Sequence, residues 1–203
     1  MKAIGYKQNL PIENIQSLQD IELKQPIAEG HDILVEVKAI SVNPADYKVR
    51  ISMPIPDGEW KVIGWDAAGI VKSVGDNVTL FQPGDKVWYA GDITRSGSNA
   101  EMQLVDERIV GKMPKSLSFG EAAALPLTSL TAWEMLFDRL EVTKQDKDKS
   151  ILVIGAAGGV GSIMVQLLKQ LTQLNIIASA SRPETTSWLK ALGVDHVVNH
   201  RNK

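Results

Sequence analysis

A glycine-rich stretch, Gly155-Ala156-Ala157-Gly158-Gly159-Val160-Gly161, lies between two apolar segments of different periodicity, and few folds accommodate that order. The segment before it, Ile151-Leu152-Val153-Ile154, is short and apolar throughout, as suits a parallel strand buried on both faces. After it, Val160, Ile163, Met164, Leu167, Leu168 and Leu171 recur at helical spacing and form one apolar stripe. Strand, glycine turn and helix in that order make an anion site. The amides of a helix's first turn have no intrahelical acceptor, the helix dipole favours negative charge, and glycines let a pyrophosphate approach the backbone. The expected contacts are Ala157, Gly158, Gly159, Val160 and Gly161, with Gly161 also allowing close helix–strand packing.

The match to the dinucleotide pattern G-x-G-x-x-G has one departure. With Gly158 and Gly161 at the second and third glycines, Ala156 occupies the first. A Walker-type phosphate loop is excluded, because Ser162 stands where a lysine would follow the glycines. A bare strand–helix turn without ligand is the alternative reading. An NAD site carries an acidic residue about 20 positions beyond the loop, for the ribose 2′-hydroxyl. Here that region reads Ala178-Ser179-Ala180-Ser181-Arg182, and no carboxylate occurs before Glu184. Ser181 and Arg182 suit a 2′-phosphate, so NADPH is expected over NADH. The competing reading is that Arg182 only ends a surface turn before Pro183.

The rest of the chain changes character near residue 118. Residues 1–118 carry short strand-like runs separated by Gly, Pro and Asn turns, which read as a compact all-β domain. Ile33, Val35, Val37 and Ala39 alternate along one run; Ala67–Val74 and Lys86–Ala90 are two more. Residues 119–203 read as helix, strand, helix, strand, starting with a capping box at Ser118 and Glu121. One helix is expected from about Leu127 to Leu140, with Pro126 breaking what precedes it. The fold class is α/β, a β domain followed by an incomplete doubly wound domain.

Composition narrows the function. The 22 basic and 24 acidic residues leave a net charge of -2, with no basic block, so a general nucleic-acid surface has no electrostatic support and no nucleic-acid partner is expected. There is no cysteine, which removes disulfides and thiolate metal sites. The N-terminus has no signal-peptide run, and no apolar stretch is long enough for a membrane helix; a soluble, cytoplasmic protein is expected.

Several further motifs occur in a fixed order: Ser41-Val42-Asn43-Pro44-Ala45-Asp46, Gly64-Trp65-Asp66-Ala67-Ala68-Gly69, Val74-Gly75-Asp76-Asn77-Val78, Pro83-Gly84-Asp85-Lys86-Val87, Gly97-Ser98-Asn99-Ala100-Glu101 and Leu130-Thr131-Ala132-Trp133. With the glycine loop they make the whole chain resemble the medium-chain dehydrogenase/reductase superfamily, in its quinone-oxidoreductase-like branch of zinc-type alcohol dehydrogenase-like proteins. The resemblance implies a GroES-like β-barrel domain followed by a Rossmann NAD(P)-binding domain, with the active site in the cleft between them. Zinc-dependent members use cysteine, histidine and cysteine as catalytic ligands. The corresponding positions are Asn43, Trp65 and Leu127, none a zinc donor. No metal is therefore expected.

By the same resemblance, Asn43 and Thr131 lie near nicotinamide and substrate, with Asn43 offering an amide donor to a developing oxyanion. Tyr47 and Trp65 are candidate pocket aromatics, though both also suit a core. His200 is placed near the adenosine phosphate; His31 reads as a surface residue and His196 as structural. The expected activity is zinc-independent, NADPH-dependent hydride transfer to a quinone or similar small carbonyl acceptor. The alternatives are reduction of an enone or alkenal double bond, and a nucleotide-binding, non-catalytic structural or RNA-binding role. Relatives are homodimers or tetramers and run well past this length. The chain is accordingly expected to be a fragment or truncated product, lacking later Rossmann strands and leaving a sheet edge exposed.

Overall fold

The structure, a computed structural model, describes residues 1–199 and Arg201. It divides into two compact units, Met1–Leu127 and Thr128–Lys203. The first therefore extends past residue 118. The short helix capped by Ser118, α2 (Phe119–Ala123), is part of it, because Ala122 and Ala123 pack with Ala68. Ser118 Oγ accepts from the Glu121 amide, and Glu121 accepts from the Ser118 amide, as the capping box predicts.

The first unit is built on two antiparallel sheets. One has the order β2 (Gln19–Glu22), β1 (Lys2–Tyr6), β4 (Lys61–Val62). The other has the order β7 (Met102–Asp106), β3 (Asp32–Ser41), β5 (Asp66–Val74), β6 (Lys86–Ala90), β8 (Gly111–Lys112). In β3, Ile33, Val35 and Val37 join a cluster with Ala67, Val71, Val87 and Val105, as the alternation predicts. Ala39 does not follow them. The β3–β5 register shifts between Val37 and Ala39, and beyond that bulge Ala39 packs with Ala68 and Ala122. Helix α1 (Pro44–Ser52) starts on Asn43, has proline in its first turn, and places Asp46 where its carboxylate accepts from the Asn43 amide at 2.6 Å. Its end is tied down by Asn9, whose Nδ2 donates to the Arg50 and Met53 carbonyls.

The second unit holds a three-stranded parallel sheet in the order β11 (His196–Val198), β10 (Asn175–Ser179), β9 (Ser150–Val153). Helices α4 (Gly159–Leu171) and α5 (Pro183–Ala191) form the crossovers. Val153, Val165, Leu168, Ile176, Ala178 and Leu189 are buried together, each aliphatic side chain of Leu or Ile size contributing about 1.5–3 kcal/mol. The α4 stripe is centred differently from the sequence reading. Gly161, Val165 and Leu168 are fully buried, while Leu171 at the helix end is exposed.

Two more expectations change. The run Ile151–Ile154 is covered on one face only. Val153 is buried with Val165 and Leu168 of α4, but Leu152 and Ile154 are 55% and 81% exposed, since alternate side chains point away from that packed face. The helix expected over 127–140 is α3 (Pro126–Trp133), followed by a wide π-helical stretch, Glu134–Arg139. The Leu140 amide donates to the Met135 carbonyl five residues back, and Glu141 then turns into the left-handed region at φ 49°. Among the described residues no helix is long and apolar enough to cross a membrane.

Candidate functional site

The glycine loop turns on Gly155, not on the alanine aligned with the first motif glycine. Gly155 has φ +67°, a conformation that costs a side-chain-bearing residue energy, whereas Ala156 is fully buried in the core. Ser179 at the end of β10 fixes the turn, its Oγ accepting from the Gly155 amide at 3.0 Å. Gly158 is the N-cap of α4 and brings no side chain to cap the first-turn amides. Those donors are left for an external acceptor, which is the arrangement an anion requires.

A cavity of about 600 Å³ opens beside this loop. Its wall brings together Gly155, Ala157 and Gly158 from the loop with Ser181, Arg182 and Thr185 beyond β10. Leu152, Ile154 and Val198 supply apolar surface. Four of the expected cofactor residues, Ala157, Gly158, Ser181 and Arg182, thus line one space. Gly159, Val160 and Gly161 do not line it. Gly161 is buried, and a Cβ there would lie 2.5 Å from the Ala156 Cα, so close packing requires a glycine at this position. His200 lies outside the described residues. Ser179, Thr185 and the apolar wall were not singled out from sequence.

The Arg182 guanidinium is solvent-exposed, with Nε 3.3 Å from Glu184 Oε1. Arg182 is also the N-cap of α5, where its carbonyl accepts from the Thr185 and Thr186 hydroxyls. Arg182 thus starts α5 through its backbone and also lies on the cavity wall.

The first unit carries a separate polar cluster. Asn43 is 8% exposed, and its Nδ2 donates to Asp66 Oδ2 at 2.7 Å. The other carboxylate oxygen of Asp66 accepts from the Leu127 amide at 2.7 Å. An amide nitrogen carries two hydrogens, so Asn43 keeps one for another acceptor, in an orientation set by Asp66. Burial pushes the Asp66 carboxyl above the usual carboxylate range, against the Asn43 and Leu127 bonds, and neighbouring Asp46 pushes the same way. Burial likewise raises Asp46, opposed by backbone donors at Asn43 and Gly64. Asp66 was not among the expected site residues; its partner lies 23 positions away, beyond any local pattern.

Trp65 is not a pocket residue. It is 1% exposed and packs with Tyr6, Val49 and Ile63, leaving no ring face for a ligand. Its Nε1 has no hydrogen-bond partner, so it adds apolar bulk at the cost of a buried donor. Tyr47, on α1, is exposed, and so is Thr131 on α3. The positions that bind zinc in other members do not fit the metal. Asn43 offers a neutral amide already bonded to Asp66, Trp65 has no metal-donor lone pair, and Leu127 is apolar. Among the described residues no group of three or more His, Asp or Glu side chains is arranged to hold a metal ion.

Residues 29–126 match the alcohol dehydrogenase GroES-like domain family. A zinc-type alcohol dehydrogenase-like protein of Staphylococcus aureus (strain MRSA252) is 46% identical over 204 residues, covering 99% of this chain and 60% of that protein. A Rhizobium etli CFN 42 protein described as a zinc-dependent alcohol dehydrogenase has a crystal structure similar to 98% of this chain and 59% of its own, with TM-score 0.92 and 60% identity. Escherichia coli quinone oxidoreductase complexed with NADPH is similar over the whole chain and 60% of its own, with TM-score 0.84 and 29% identity. The chain thus spans about 60% of the length of the relatives it matches. With its GroES-like unit and its parallel βαβαβ unit, the chain is similar throughout its length to these dehydrogenase and quinone oxidoreductase relatives, consistent with the medium-chain dehydrogenase/reductase superfamily.

Proposed function

We propose that this chain binds NADPH along the Gly155–Gly161 loop, and that the protein is an oxidoreductase passing hydride to a quinone or similar small electrophilic carbonyl compound without a metal. The observation that carries the reading is the cavity that joins the uncapped α4 N-terminus to Ser181 and Arg182. In this reading the α4 amides hold the pyrophosphate and Gly158 lets it approach. Ser181 and Arg182 hold a 2′-phosphate by hydroxyl and charged fork. The quinone oxidoreductase complexed with NADPH, similar over the whole chain, supports the same choice of cofactor.

NADPH supplies the hydride, and the protein supplies orientation. Asn43, whose amide is held by Asp66, would offer its remaining N–H to an oxygen that gains charge, and Tyr47 and Thr131, each exposed in its own unit, are the proposed further contacts. Quinones accept hydride readily, so a polarising metal is not required; the non-donor residues at Asn43, Trp65 and Leu127 agree with that chemistry. The test is titration with NADPH and NADH, followed by NADPH oxidation with 1,4-benzoquinone in the presence and absence of a chelator. Tighter NADPH binding and chelator-resistant turnover are expected. A preference for NADH, or activity lost to the chelator and restored by zinc, refutes the reading.

A further inference from the structure

Glu184 stands where the cofactor reading least wants a negative charge. It lies in the first turn of α5, two residues past the N-cap Arg182, and its Oε1 is 3.3 Å from Arg182 Nε. A 2′-phosphate held by Ser181 and Arg182 would draw on the same two sources of positive potential, the guanidinium and the start of α5. The carboxylate takes the inner Nε edge, and the terminal Nη fork is the remaining donor edge of Arg182. Both side chains are about two-thirds exposed, so the pair itself is weak and salt-sensitive.

We propose that Glu184 is a selectivity-setting residue of the cofactor site: its carboxylate shares the Arg182 guanidinium with, and repels, a nucleotide 2′-phosphate, reducing the discrimination between 2′-phosphorylated and unphosphorylated nucleotides that Arg182 alone would give. This rests on the NADPH reading above. Repulsion between a carboxylate and a phosphate on one exposed, partly screened guanidinium corresponds to about two- to fivefold in affinity at low salt.

The test is calorimetric titration of the 203-residue chain, its Glu184→Gln variant and its Arg182→Ala variant with adenosine 2′,5′-bisphosphate and with 5′-AMP, at low and high salt. Glu184 is an exposed surface residue, so E184Q should fold as the parent does; matching circular dichroism and melting curves check this. The expected result is that E184Q binds the bisphosphate about two- to fivefold more tightly, leaves 5′-AMP unchanged, and loses its advantage at high salt. If E184Q changes neither ligand while the parent prefers the bisphosphate and R182A abolishes that preference, the inference about Glu184 fails and the NADPH reading stands. If E184Q weakens 5′-AMP, Glu184 is instead an acceptor for the ribose hydroxyl and the inference is overturned. If parent and E184Q alike show no preference and R182A is silent, the NADPH reading fails and takes the inference with it.

Discussion

Alanine at Gly161 and alanine at Gly158 should separate the two jobs of the glycine loop. A Cβ on Gly161 would meet the Ala156 Cα at 2.5 Å and the Gly155 carbonyl oxygen at 2.6 Å. Both atoms are backbone, so no side chain can rotate away, and α4 must move off the loop by roughly 1 Å to restore ordinary contact. Overpacking of this kind costs roughly 1–3 kcal/mol, and alanine's better helix propensity returns about 1 kcal/mol. The net expectation for Gly161→Ala is a loss of about 0–2 kcal/mol, centred near 1 kcal/mol, at roughly 4–8 °C per kcal/mol for a unit of this size.

Gly158→Ala differs on both counts. Its φ of -78° is ordinary for any residue, and the nearest atom to a new Cβ is the Gly155 oxygen at 3.3 Å. Stability should therefore stay within about 0.5 kcal/mol of the parent. The methyl group would, however, stand at the α4 N-cap on the cavity wall, where the proposed pyrophosphate approaches. NADPH affinity should fall by roughly tenfold, the equivalent of about 1.4 kcal/mol. Urea unfolding and NADPH titration of both variants give the answer. A G161A protein that unfolds with the parent refutes the packing argument, and a G158A protein that binds NADPH normally removes Gly158 from the site.

Three other outcomes follow from the same geometry. Trp65→Ala should destabilise the first unit by about 3–5 kcal/mol and Tyr47→Ala by no more than about 0.5 kcal/mol, because only Trp65 is core; equal effects in denaturation would contradict that division. Burial raises Asp66 above its ordinary value of 3.8, so the folded state holds its proton to higher pH than the unfolded chain. Its contribution to stability is therefore lost as pH rises from about 4 through the raised value, and the gap between Asp66→Asn and the parent should change across that window in the variant's favour; parallel urea midpoints against pH would exclude it. Glu107 is the opposite case. Burial raises its pKa, but donors at the Leu80 and Thr79 amides and at His31 outweigh that and leave it lowered, so its stabilisation is lost as pH falls below the usual glutamate range. Glu107→Gln should flatten acid unfolding, and an unchanged acid limb would show that the Thr79–Leu80 turn does not depend on this charge.

What was legible in the sequence and what was not divide along a physical line. Ser118 with Glu121, the alternation of Ile33, Val35 and Val37, and the order of strand, glycine loop and helix are all set by contacts within a few residues, and all occur in the fold. Local pattern misled where a face had to be chosen. Ile151–Ile154 is apolar on both sides, so its composition does not reveal that only the Val153 side is packed. The motif misled in a similar way at Ala156, because the requirement it encodes is a positive φ, and the chain meets it one residue earlier at Gly155. Trp65 sits in the Gly64–Gly69 motif but is consumed by the core through Tyr6 and Val49, which are distant in sequence.

The residues that tune the candidate chemistry are joined over distances that no periodicity records. Asp66 reaches Asn43 across 23 positions and Leu127 across 61, and Ser179 reaches Gly155 across 24. In each case a hydrogen bond between separate elements fixes a group whose own neighbours in sequence leave it free to rotate. The glycine loop could therefore be found by reading along the chain, whereas the orientation of Asn43 and the turn at Gly155 follow only from which elements the fold sets side by side. Substitutions at Asp66 and Ser179 accordingly test how the sites are shaped, and substitutions at Asn43 and Gly158 test what the sites bind.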